Sequence, residues 1–231
     1  MKTIVAFAVA LLTCTSTVLA DISSGETKRL EEAATVVREL RAAPDKGISE
    51  DSWSKAECVA VIPGLKKAAF LIGGEFGKGV ISCRSGQTWS APLFLELQKG
   101  SAGFQIGAEQ VDVVLLMLNR RGVDKLLDNK VNLGADASVA AGPVGRAASG
   151  STDARLTAEI LAYSRAKGVF AGVDLSGGVL RPDKDANVKT YGASVGSRDV
   201  LFTNKVTAPT AAEAFLRVLR EESRATSGKK Q

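Results

Sequence analysis

Val59–Asp112 reads VAVIPGLKKAAFLIGGEFGKGVISCRSGQTWSAPLFLELQKGSAGFQIGAEQVD, a run of apolar and β-branched residues cut at short intervals by glycine. The spacing predicts a strand at Cys58–Ile62, closed by Pro63-Gly64, and a second at Lys67–Gly73. A Gly74–Gly77 turn leads back into Gly79–Arg84, and Ser85-Gly86 turns the chain again into Trp89–Leu97. Gly100 starts a further turn before Ala102–Gly107. Val111–Leu118 is apolar on both faces, which fits a buried strand or a buried helix, and periodicity does not separate the two. The run carries little of the chemistry an active site needs. It reads as a shaped antiparallel scaffold that binds something.

Outward from this run the pattern becomes helical. In Glu26–Ala43, Leu30, Ala33, Ala34, Val37 and Leu40 recur at three- and four-residue spacing. The opposite face mixes Glu31 and Glu32 with Lys28, Arg29, Arg38 and Arg41. Pro44 stops this helix, and Ser49-Glu50-Asp51 opens a short one carrying Trp53. Beyond the run, Val123–Leu127 reads as a short helix, and Leu133–Ala141 alternates before a turn through Arg146. Leu156–Arg165 and Gly168–Gly177 read as a strand pair, and Thr210–Glu222 as a helix whose apolar face is Ala214, Phe215, Val218 and Leu219. Helices do not alternate with strands. The expected fold is α+β, a single domain over residues 21–224 with a mainly antiparallel β-sheet and N- and C-terminal helices packed against it. Residues 225–231 are expected to be a disordered tail.

Residues 1–20 have the form of a secretory signal peptide: a positive start at Met1-Lys2, an apolar Ile4–Leu12, and a small residue at Ala20. The apolar stretch is well short of the roughly 20 residues that span a bilayer. Leu11-Leu12-Thr13-Cys14 loosely matches a lipobox, which makes Cys14 a candidate for lipidation and membrane tethering. The expected location is therefore the periplasm or cell envelope. Cleavage after Ala20 removes Lys2 and no acid, lowering the formal net charge from +5 to +4. That surplus is too mild for a nucleic-acid binder. In an oxidising compartment Cys58 and Cys83 form either a disulfide or two buried thiols on separate strands.

The chain has no histidine, which removes the usual general base and most zinc geometries. Glu75, Glu96, Glu109 and Asp112 are the nearest carboxylates for hydrolytic work, and Glu109 and Asp112 share a face only if their segment is helical. Gly73–Gly79 looks like a phosphate loop, but Ile72 and Gly79 stand where that motif requires glycine and Ser or Thr. No catalytic, metal or cofactor site is expected. Lys66, Lys67, Lys78 and Arg84 fall near strand ends and form a candidate rim for anionic head groups. Trp89 is either an interfacial anchor or partly buried core.

Gly73-Gly74, Gly77-Lys78-Gly79-Val80, Trp89-Ser90-Ala91-Pro92, Gly103–Gly107, Asp112 and Leu133-Gly134-Ala135-Asp136 occur in an order that resembles the SYLF domain, also called the Ysc84 or DUF500 family. The resemblance continues through Ala141–Arg146, Tyr163-Ser164, Gly168–Gly172, Asn187 and Tyr191-Gly192. It implies lipid binding, because eukaryotic members are linked to phosphoinositide membranes, partly through a basic amphipathic N-terminal segment, and some yeast-type members bind actin. Bacterial members are typically exported proteins or lipoproteins without an assigned enzymatic activity. This chain departs in the mixed charge of Glu26–Ala43 and in having no SH3 or FYVE-type module attached. The expected lipid-binding residues are Lys28, Arg29, Lys66, Lys67, Lys78, Arg84 and Arg146, with apolar contact from the Glu26–Ala43 helix. The expected partner is an anionic lipid or membrane surface, with an envelope protein partner as the alternative and no nucleic acid.

Overall fold

The computed structural model describes residues 22–43, 47–70, 72–86, 88–102, 107–142, 158–166, 169–203 and 205–228. Five of its strands come from the glycine-punctuated run: β1 (Cys58–Phe70), β2 (Ile72–Ser85), β3 (Thr88–Trp89), β4 (Leu93–Ala102) and β5 (Gly107–Met117). After the helix α3 (Arg121–Asp128) come β6 (Val131–Asn132), β7 (Val139–Ala141), β8 (Ile160–Ala166), β9 (Val169–Gly172) and β10 (Gly178–Pro182). They form one ten-stranded sheet in the order β6-β10-β4-β2-β1-β5-β8-β7, with β3 on β2 and β9 on β8. Every pairing is antiparallel except β7 with β8.

β1 and β5 lie in the middle of this sheet with apolar layers on both faces, which explains why Val113–Met117 has no polar side. One face is covered by α1 (Ser24–Ala42), α2 (Glu50–Lys55) and the C-terminal helix, burying Leu30, Val37, Trp53, Phe215 and Leu219 against Val59, Val61, Val114 and Leu116. The other face buries Ile62, Leu65, Leu95, Leu97, Leu115 and Val113 beneath α3 and the loops around it. The stripe on α1 that the sequence periodicity marks, Leu30, Ala33, Ala34, Val37 and Leu40, is fully used in this core.

Pro63-Gly64 does not end a strand. Between Ile62 and Leu65 the pairing of β1 with β5 slips by one residue, so the two residues form a bulge inside one thirteen-residue strand. Gly64 takes a left-handed φ of 58° there, and its N–H donates to Asp112 Oδ1 at 2.9 Å. The bulge reverses the side-chain alternation, putting Leu65 on the same face as Ile62 and turning Lys66 toward α1.

Two helices without a strong apolar periodicity follow β10: α4 (Lys184–Tyr191) and α5 (Ser197–Phe202). A short 3₁₀ turn at Thr210–Ala212 leads into α6 (Glu213–Gly228), which runs past Arg224, where the sequence pattern places the start of a disordered tail. Cys58 and Cys83 are direct cross-strand partners joined by a disulfide, with Cα atoms 4.0 Å apart. The closed loop spans a sequence separation of 25. Chain entropy then predicts that reduction lowers stability by about 3 kcal/mol. Urea unfolding with and without reductant checks this, and coincident midpoints would contradict it.

Candidate functional site

The N-terminal turns of α1 cross the β1–β2 hairpin near the bulge and leave a groove of about 460 Å³ between helix and sheet. Lys28, Arg29 and Glu32 line it from the helix, Lys66, Phe76 and Lys78 from the hairpin, and Gln110 from β5. Four of the seven expected lipid-binding residues thus meet in one place. Lys66, Phe76 and Lys78 share the α1 side of the sheet because Phe76 and Lys78 alternate along β2 and Lys66 is the direct partner of Phe76.

Beneath the groove sits Asp183, which is 4% exposed. Its carboxylate accepts from Lys78 Nζ at 2.8 Å and Arg29 Nη1 at 3.1 Å, and from the Ala186 N–H as the N-cap of α4. Burial pushes the Asp183 carboxyl up, but the bonds from Lys78, Ala186 and Arg29 and the Lys78 charge outweigh it. Its pKa lies below the ordinary value. Arg29 also lies 3.8 Å from Glu26 and stacks over Phe94 at 5.3 Å. Arg29 is therefore a buried tie between α1, β4 and α4, whereas Lys78 remains 44% exposed and faces both Asp183 and solvent. Lys28 is exposed and, among the described residues, pairs with Glu32 at 3.7 Å. Lys66 makes no ion pair with any described residue.

The other expected rim residues lie elsewhere. Lys67 points to the opposite face, where it stands in register between Glu75 of β2 and Glu109 of β5. Arg84 is six residues further along β2 from Lys78, roughly 20 Å at strand rise, and is committed to the fold. It donates to the carbonyls of Ala56 and Trp53 and to Ser223 Oγ, and stacks on Trp89 at 4.7 Å. Burial lowers its pKa. Trp89 is itself buried and donates to Ser223 Oγ, so it belongs to the core and is no interfacial anchor. Arg146, Cys14 and residues 1–20 lie outside the described residues. The apolar face of α1 is inside the core and is not available for membrane contact.

The carboxylate pair also separates. Glu109 and Asp112 are three residues apart on a strand and point to opposite faces, so they do not converge on one bond. Asp112 accepts from Gly64 N–H and pairs with Arg165, which also pairs with Glu39 of α1. Burial raises the Asp112 pKa, with the Gly64 hydrogen bond opposing. Glu96 pairs with Arg181 across β4 and β10. Among the described residues no three His, Cys, Asp or Glu side chains gather as metal ligands, and no helix is long and apolar enough to cross a membrane.

Many of the motif residues hold the architecture. Asn187 receives the Phe94 N–H at 2.9 Å and donates to the Phe94 carbonyl at 2.7 Å, fastening α4 to β4. Tyr191 donates to the Pro92 carbonyl, and burial pushes its hydroxyl pKa well up. Asp136 accepts from the Asn132 N–H at 2.8 Å and closes the turn after β6. The sequence reading missed Asp183, Phe76 and Gln110. Asp183 had a readable signal, an N-cap residue directly after Pro182 and three before Ala186.

A family model described as Ysc84, Las17-binding protein actin regulator, matches residues 98–222. The match begins on β4 and ends in α6, so Lys28, Lys66 and Phe76 stand before it. Protein YSC84 of Saccharomyces cerevisiae is 37% identical over 175 residues, 74% of this chain and 36% of that protein. LAS seventeen-binding protein 3 of the same species is 36% identical over 185 residues, 78% and 39% of the two chains. SH3 domain-containing YSC84-like protein 1 of Bos taurus is 32% identical over 205 residues, 86% and 60%. The chain therefore spans between 36% and 60% of the length of these relatives.

Proposed function

The chain belongs to the Ysc84 (SYLF) family, and from that membership we propose that it is a non-enzymatic binding domain that docks a protein partner at the groove between α1 and the β1–β2 hairpin. The observation that carries this reading is the open, basic groove itself. Lys66 has no ionic partner among the described residues, and Phe76 beside it is 43% exposed, a large apolar ring left uncovered. The separation of Glu109 from Asp112 supports binding over hydrolysis. Relatives named for binding Las17 support a protein as the bound species. A photoreactive residue in place of Gln110, in the full chain under native conditions, is expected to crosslink to one recurring protein. Labelling spread evenly over many abundant proteins would count against the reading.

A second reading has its own observation. Lys28, Lys66 and Lys78 around one groove present donors that suit an anionic lipid head group as well. On this reading the protein is exported through residues 1–20, is tethered by Cys14 if that residue is acylated, and meets the membrane through the groove. Liposome co-sedimentation with rising anionic lipid content tests it. Salt-sensitive pelleting that Lys66→Glu abolishes is the expected result, and a protein that stays in the supernatant at low salt removes the idea.

A further inference from the structure

Phe76 and Lys66 are the middle of a longer row. Gln98 of β4 is the register partner of Phe76, and Gln110 of β5 is the register partner of Lys66. Gln98, Phe76, Lys66 and Gln110 therefore stand side by side across four neighbouring strands, on the face that α1 covers only in part. Neighbouring strands are about 4.8 Å apart, so the row runs roughly 14 Å across the sheet. That is about four residues of extended chain at 3.3–3.6 Å each. Its chemistry is ordered along its length: an amide, an exposed aromatic ring, an ammonium with no ion pair among the described residues, and a second amide. Lys28 and Lys78 add ammonium donors on the α1 side, each already paired with an acid, Glu32 and Asp183, which leaves Lys66 as the docking charge.

Resting on the reading of the chain as a protein-interaction domain, we infer that this row is the docking track for a short extended acidic segment of the partner, with an apolar side chain seated on Phe76. Lys66 takes a carboxylate of that segment, and the Gln98 and Gln110 amides hydrogen-bond its backbone. The choice of peptide over membrane follows from the surroundings. Phe76 has the Gln98 amide on one side and the Lys66 ammonium on the other, no other large apolar side chain exposed among the described residues lines the groove, and the apolar face of α1 is buried. Among the described residues, a groove with one exposed ring beside an α1 whose apolar face is buried suits a side-chain contact better than a bilayer.

The test uses the full chain with a fluorescent peptide of glutamates around a central leucine, its lysine-for-glutamate counterpart, and vesicles of phosphatidylcholine with and without phosphatidylserine. The acidic peptide is expected to bind in a salt-sensitive way and the basic one not to bind. Lys66→Glu is expected to weaken the acidic peptide roughly tenfold, about 1.4 kcal/mol, and Phe76→Ser severalfold. Gln110→Lys, which adds a cation beside Lys66, is expected to tighten binding, and this gain does not depend on a damaged fold. The inference is overturned if the acidic peptide does not bind at low salt, or binds Lys66→Glu unchanged. It is also overturned if only the anionic vesicles bind through Lys66, which assigns the track to a lipid surface. A crosslinked protein partner that persists when the peptide fails leaves the interaction reading standing and removes the acidic chemistry alone.

Discussion

Replacing Asp183 with alanine is expected to destabilise the fold by about 3–5 kcal/mol, the range for removing one partner of a buried charge pair. The loss follows from what remains behind. Arg29 is buried, with Asp183 at 3.1 Å and Glu26 further off at 3.8 Å, so its charge loses the nearer acceptor. The alanine also uncaps α4, which alone costs about 1 kcal/mol. Asp183→Asn keeps the size and the cap and should cost less. Arg29→Met in the Asp183→Ala background should recover part of the loss, because the stranded charge goes with it. Chemical denaturation of the four proteins measures this, and a loss under 1 kcal/mol for Asp183→Ala would overturn the assignment.

The same carboxylate predicts a pH dependence. A folded-state pKa below the ordinary value of about 3.9 means that Asp183 stabilises the fold above that value. The contribution is lost as pH falls through the lower folded-state pKa. The acid limb of the stability curve should therefore be shallower in Asp183→Asn than in the parent. Superimposable acid limbs would show that the Lys78 and Arg29 contacts do not hold the carboxylate charged.

How much of this was legible in the residues depends on how local the signal is. The α1 stripe was readable because burial on one helical face repeats every three or four residues, and Leu30 to Leu40 keep that repeat throughout. The turns expected at Gly74–Gly77 and Gly100 do not form, because those glycines lie inside β2 and β4, paired with each other and with neighbouring strands, and β1 passes into β2 through the pair Phe70↔Ile72. The turn at Ser85-Gly86 was readable because Ser and Gly interrupt a β-forming run there. The bulge at Pro63-Gly64 was not, because the same two residues serve as a strand end or as an inserted residue. Only the partner strand decides which. That one residue of slip determines which face Lys66 and Lys67 take, so of the two adjacent lysines Lys66 alone lines the groove. The α4 helix was missed for a different reason. It buries only Ala186 and Thr190, and its position is held by Asp183, Asn187 and Tyr191 through polar bonds that leave no apolar period. Arg84 looked like a rim group, and Trp89 could be read as anchor or core, because their partner Ser223 is more than a hundred residues away in the chain.

Gly79→Ala should be the most damaging single-methyl change in the glycine-rich run. A Cβ built at Gly79 falls 2.2 Å from the Val61 carbonyl oxygen and 2.9 Å from Ile62 Cγ1. The first is backbone of the neighbouring central strand, so no side-chain rotation relieves it. The β1–β2 pairing between Val61↔Val80 and Lys66↔Phe76 has to spread, at the point where the bulge already bends β1. Overpacking in a close-packed interior costs 1–3 kcal/mol when side chains can adjust, and here the obstacle cannot, so a loss of about 3 kcal/mol or more is expected. Gly74, five residues earlier on the same strand, is the control. Its Cβ would meet nothing nearer than the Lys99 carbonyl oxygen at 3.8 Å, and its φ is not positive. Gly74→Ala should be neutral or stabilising by up to about 1 kcal/mol, through the smaller entropy of the unfolded chain. Thermal and urea unfolding of the pair decides the matter. Equal losses at both sites would mean that the run needs glycine for chain flexibility, whereas a loss confined to Gly79 means that β2 is glycine there because β1 passes too close for anything larger.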